Sequence, residues 1–164
     1  MKEKKVFAEG MCWKKIFWIF IIGCIFGCIF EMILTYLKTG DLVSRRGLIY
    51  GPFNPVYGFG AAVFALFLNK QENVFMIFIG AALLGGGCEY ICSVIQEYVF
   101  GTISWDYSNK PFNFNGRTSL TYMFYWGILG VIFTQLIYPI LSKGIEKTPI
   151  KIGNITTVLL LVFI

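Results

Sequence analysis

From Ile16 to Phe30 this chain carries no charged side chain, and the apolar run continues to Leu37 with Glu31 as its one interruption. About 20 consecutive apolar residues in a helix cross the hydrocarbon of a bilayer, where every backbone polar group must be paired within the segment. A run of this length reads as a membrane-spanning helix. The same criterion gives Gly51 to Leu68, Val74 to Phe100 and Ser119 to Leu141 as spans two, three and four. The second opens with Pro52, Pro55 and three glycines, which points to an unwound or re-entrant start whose polar groups must be satisfied by protein or water. Ile152 to Ile164 begins a fifth apolar run of thirteen residues, short of a crossing, so the sequence reads as continuing beyond it; a short amphipathic or buried tail is the alternative. The lysines before span one imitate a secretory signal, but the segment is longer than a signal core and shows no small-residue cleavage site.

Composition agrees with this reading. Of 164 residues 57% are hydrophobic and 14% charged, the balance of an integral membrane protein. The fold expected is all-α, a polytopic transmembrane bundle forming a single membrane domain over residues 1–164.

A pattern recurs across it. Gly23, Gly27, Glu31, Thr35 and Thr39 fall every four residues, and 58 positions on Ala81, Gly85, Glu89, Ser93 and Glu97 repeat the arrangement. Residues four apart share one helical face. The echo extends to Pro52, Phe53 and Asn54, matched with a one-residue insertion by Pro111, Phe112 and Asn113. Two parallel-duplicated helical hairpins follow, repeat one over about 16–68 and repeat two over about 74–141, related by an axis along the membrane normal, with an incomplete fifth span at 152–164. Glu31 and Glu89 then face a common centre at similar depth, and the glycines beside them let backbones approach closely.

A carboxylate inside the membrane costs several kcal/mol without a partner or a cavity. Arg46 and Arg117 are the natural partners, since each follows the acidic helix of its own half; Arg45 is a third candidate. With an arginine on it the acid stays ionised, whereas two acids facing each other should share a proton. The outer loops add Tyr50 and Asn54 in the first half and Trp105, Asp106 and Asn113 in the second, aromatic and amide groups suited to a small polar ligand or to an interfacial loop. Asp106 has two roles open to it, capping a turn or pairing Arg117.

Orientation rests on the fourteen basic residues. Lys2, Lys4, Lys5, Lys14, Lys15, Lys70, Lys143, Lys147 and Lys151 fall on the N-terminal side, and Lys38, Arg45, Arg46, Lys110 and Arg117 on the other, which favours a cytoplasmic N-terminus. Lysines beside anionic headgroups account for the net charge of +5 with no nucleic-acid partner. Cys24, Cys28, Cys88 and Cys92 sit at i, i+4 spacing inside spans; with no histidine in the chain and apolar surroundings that disfavour thiolates, they read as packing residues and no metal or other cofactor is expected.

The strings Arg46-Gly47-Leu48-Ile49-Tyr50-Gly51-Pro52, Pro55-Val56-Tyr57-Gly58 and Trp105-Asp106-Tyr107-Ser108, with Asn113 and Gly116-Arg117, resemble a bacterial family of ABC-transporter permeases, type IV, CmpB-like. The resemblance covers most of the chain from span one to span four and implies a multi-pass protein of the bacterial inner membrane. It also implies an unidentified solute and a separate ATPase subunit, because the chain has no phosphate-cradling loop ending in Gly-Lys-Ser/Thr. Against ABC coupling stand the short loops Asn69 to Asn73 and Ser142 to Lys151, which leave little room for a coupling helix. Three functions are weighed: a permease subunit, with Glu31, Glu89, Arg46, Arg117 and the loop residues as its pathway; a non-transporting scaffold for another membrane protein or a second copy of itself; and an intramembrane enzyme. The last is set aside, since no histidine, nucleophile motif or metal cluster accompanies the acids.

Overall fold

The computed structural model describes residues 6–41 and 53–163. In chain order come α1 (Trp13–Thr39), α2 (Pro55–Phe67), α3 (Val74–Phe100), the paired two-residue strands β1 (Asn113–Phe114) and β2 (Thr118–Ser119), α4 (Leu120–Ile132), a π turn (Phe133–Ile137), α5 (Tyr138–Glu146) and α6 (Ile150–Phe163). The fold is an all-α bundle. Trp13–Thr39, Val74–Phe100 and the continuous rod Leu120–Glu146 are each 27 residues long and apolar enough to cross a membrane. Local chemistry sets their ends. Asn73 caps α3 by accepting from the amides of Phe75 and Met76 at 3.0 and 3.2 Å, and α3 closes on Gly101 at φ 63°, whose amide returns to the Glu97 carbonyl. The π turn lies just before Pro139, whose ring has no N–H to donate and crowds the carbonyl four residues back, so the rod absorbs it by widening one turn.

Span two is helical over less than its predicted length, as its irregular start implied. Its helix begins at Pro55 and holds 13 residues, about 20 Å at 1.5 Å per residue and short of a hydrocarbon core of about 30 Å. The Asn54 amide donates to the carbonyl of Cys24 at 3.0 Å, near the midpoint of α1. Helix α2 therefore starts level with the middle of α1 rather than with its end. Its first turn is satisfied locally: Asn54 accepts from the Val56 amide at 3.2 Å, and Pro55 has no amide to satisfy. The residues preceding it, 42–52, lie outside the described residues, and with them Arg45, Arg46 and Tyr50.

The small residues also face differently from the shared-axis arrangement. The most extensive contacts pair α1 with α2 and α3 with α4, while α2 and α3 join the two pairs. A Cβ on Gly27 would overlap the Tyr57 ring, one on Gly85 would stand 2.5 Å from the Trp126 ring, and one on Gly130 would overlap the Ala81 Cβ. Each glycine notch thus receives a neighbouring helix. Close approach in lipid is set by dispersion between fitted surfaces, and the notches at Gly27 and Gly85 are filled by large rings instead of by each other.

At the opposite end α1, α5 and α6 converge. Lys15, 1% exposed, donates to Ser142 Oγ at 2.9 Å and forms an ion pair with Glu146. Lys14 donates to Asn154 Oδ1 at 2.6 Å, and the Trp18 indole to Thr157 Oγ1 at 2.8 Å. Two of the lysines read as lying beside lipid headgroups are thus tied to protein.

Candidate functional site

Glu89 lies on the inward face of α3 with Ala81, Gly85 and Ser93, all buried. It is 6% exposed. Its two carboxylate oxygens accept from hydroxyls supplied by the loop after α3: Tyr107 Oη to Oε1 at 3.0 Å and Thr118 Oγ1 to Oε2 at 2.8 Å. Both donors are neutral. The ring of Trp126 fills the Gly85 notch, one turn along α3 from Glu89. Glu31, the other acid of the repeated pattern, is half-buried on α1.

Aromatic rings wall the Glu89 site. Tyr57, in the first turn of α2, packs on the Gly27 notch and lies 5.5 Å from Trp126 between ring centres; Tyr107 stacks on Tyr122 at 3.9 Å and 16°. Tyr107 gains its proton affinity from burial first and from the Glu89 charge second, so its hydroxyl is held above the ordinary tyrosine range and stays a donor. The start of α2, level with the middle of α1, stands behind Tyr57.

Arg117 goes elsewhere than expected. Its guanidinium pairs with Glu97, donates to Ser93 Oγ at 3.1 Å and lies 5.9 Å from the centre of the Tyr90 ring. It serves the outer turns of α3, two turns above Glu89. Geometry gives the reason: Thr118 and Ser119 are pulled inward as the strand β2, and Arg117 immediately before them is left pointing along the outer rim.

The loop is built to hold Thr118 and Tyr107 in place. Strands β1 and β2 pair antiparallel, with Asn113 opposite Ser119 and Phe114 opposite Thr118. Trp105 donates its indole N–H to the Arg117 carbonyl at 2.9 Å. Asn113 donates to the carbonyls of Ser108 and Lys110 at 3.2 and 2.9 Å and accepts from the Gly116 amide at 2.9 Å. Asp106 caps a turn, accepting from the Ser108 hydroxyl at 2.5 Å and amide at 2.8 Å, which hold its carboxyl below the usual range; it does not pair Arg117. Gly116 sits at φ 69°, and a Cβ there would lie 2.6 Å from both Asp106 Oδ1 and Ser108 Oγ, so only glycine fits.

Of the candidates named from the sequence, Glu89 is buried among loop hydroxyls and Glu31 is half-buried on α1, Trp105, Asp106 and Asn113 fasten the loop, Arg117 braces its rim, and Asn54 caps α2. The echoed Pro-Phe-Asn strings therefore end in different work, a helix cap in one half and a loop clasp in the other. Tyr107 and Thr118 were missed as partners of Glu89. Neutral donors far along the chain leave no periodic signal. Residues 18–164 match the model of a family described as "Putative ABC-transporter type IV". No curated protein and no solved structure matches the chain.

Proposed function

The chain belongs to the family described as "Putative ABC-transporter type IV", and from that membership we propose that it is a permease subunit whose solute passes by Glu89. One observation carries the reading: a carboxylate 6% exposed, inside a helix long enough to cross the membrane, is met by two hydroxyl donors and, among the described residues, by no cationic side chain. Buried ion pairs are the usual way a membrane protein tolerates an acid for architecture alone. Here the arginine of the same half braces Glu97 instead. The half-length helix α2 supports the same reading, because a helix that starts level with the middle of its neighbour presents an N-terminus to the interior, as at many transporter sites.

On this proposal the bacterial inner membrane is the location, the N-terminus is cytoplasmic, the chain is not itself an enzyme, and the ATPase is a separate polypeptide. Proteoliposomes carrying the chain with its co-purified ATPase, challenged in turn with amino acids, organic cations, inorganic ions and anions, should move one of them with ATP. Flux should fall at least tenfold in Glu89→Gln while protein level in the membrane is unchanged. An assembly scaffold is the second reading, favoured by the way both Glu89 oxygens fasten loop residues. Loss of folded Glu89→Gln protein, with no flux in the parent, would select it.

A further inference from the structure

Between α1 and the rod formed by the π turn and α5 runs an open apolar groove of about 480 Å³. The two helices are clamped at one end by the Lys15–Glu146 pair and the Lys15–Ser142 hydrogen bond, and above that clamp they stand apart. The groove is lined on one side by Trp18, Ile22 and Phe26 and on the other from Leu136 to Thr148, with Gly144 in its wall. At 1.5 Å per residue the two walls run about 12 and 18 Å, close to the 15 Å or so of one leaflet's hydrocarbon.

Charge gathers at the clamped end. Lys143 and Lys147 are exposed, each one position before a groove-lining residue, and Glu146 between them is engaged by Lys15. The rim beside the groove mouth is therefore net positive.

We propose that this groove is a binding site for an anionic phospholipid, with one acyl chain along the α1–α5 cleft and the headgroup on Lys143 and Lys147. A positive rim over a slot of one-leaflet length fits an amphiphile with a negative head; a second protein helix would gain nothing from the lysines. The site is distinct from the Glu89 cluster and does not depend on what that cluster carries.

Native mass spectrometry of the full chain in detergent, titrated with phosphatidylglycerol and with phosphatidylcholine, tests it. Phosphatidylglycerol should bind preferentially. Lys147→Gln should weaken it about fivefold and Lys143→Gln/Lys147→Gln about 25-fold, the factor expected for lysines beside an anionic headgroup. Gly144→Leu should abolish the adduct, since a Cβ at Gly144 meets nothing within 4 Å and the side chain enters open groove; Gly87→Leu, equally open but on α3, should leave it intact. Helical glycines tolerate leucine well, so both variants fold. Equal binding of the two lipids, or an adduct that survives Gly144→Leu, would overturn the proposal. So would a dimer that Gly144→Leu splits into monomers, because the occupant would then be a second copy.

Discussion

Thr118→Val is the sharpest perturbation available. Valine keeps the shape of threonine but removes the hydroxyl that donates to Glu89 Oε2 at 2.8 Å. Thr118 is 4% exposed and Glu89 6%, so water cannot easily replace the donor. A hydrogen bond to a charged group contributes about 1.5–3 kcal/mol, and burial on both sides places the loss in the middle of that range, about 2 kcal/mol, or roughly 30-fold in the unfolding constant. The cost should depend on the charge. In a Glu89→Gln background the amide is neutral and the remaining hydroxyl can rotate to accept from it, so the same Thr118→Val change should cost about 1 kcal/mol or less. A double-mutant cycle then yields a coupling of about 1 kcal/mol. The five free cysteines, Cys24 and Cys28 among them buried, allow unfolding in detergent to be followed with a thiol-reactive dye. If Thr118→Val costs under about 0.5 kcal/mol, the low end for any hydrogen bond, or costs the same with glutamine at 89, Glu89 is not a buried anion held by neutral donors and the functional reasoning loses its base.

Lys15→Met should destabilise by about 3 kcal/mol, the low end for breaking a buried ion pair because Glu146 is partly exposed, and Lys15→Met/Glu146→Leu should recover most of it in the same dye assay. Gly130→Leu drives a side chain into Ala81, where even a Cβ would overlap; α3 and α4 cannot close, and membrane-inserted monomer should fall several-fold by immunoblot. Gly116→Ala forces a φ of 69° on an L residue against Asp106 and Ser108, at a cost of about 1–3 kcal/mol, and limited proteolysis should nick the 106–116 loop sooner. For pH, Tyr107 holds its proton more tightly folded than unfolded. Its contribution is fully present below about pH 10, the unfolded value, and is lost as pH rises beyond it. Tyr107→Phe should flatten the alkaline stability loss; an unchanged alkaline limb would refute that assignment.

Membrane residence, the three long helices and the inward placement of Glu89 were all legible in the chain, because hydrophobic length and four-residue spacing act through neighbours in sequence. The repeated pattern, Gly23-Gly27-Glu31 and Ala81-Gly85-Glu89, located both acids and the notches at Gly27 and Gly85. It could not say what fills a notch: Tyr57 lies thirty residues from Gly27 and Trp126 forty-one from Gly85, and a ring of either size fits wherever the backbone leaves room. Nor could proximity in sequence decide the arginine, since the two-residue strand β2 turns Thr118 inward and strands Arg117 at the rim beside Glu97.

Sequence alone thus determined that this chain enters lipid as helices and carries carboxylates with it, since the absence of water inside a bilayer leaves an apolar run no other stable form. Tertiary structure alone decided the partners of those carboxylates and the burial of Lys15. These depend on which donors arrive from distant segments, and desolvation is a property of the assembled packing that no residue carries in its own identity.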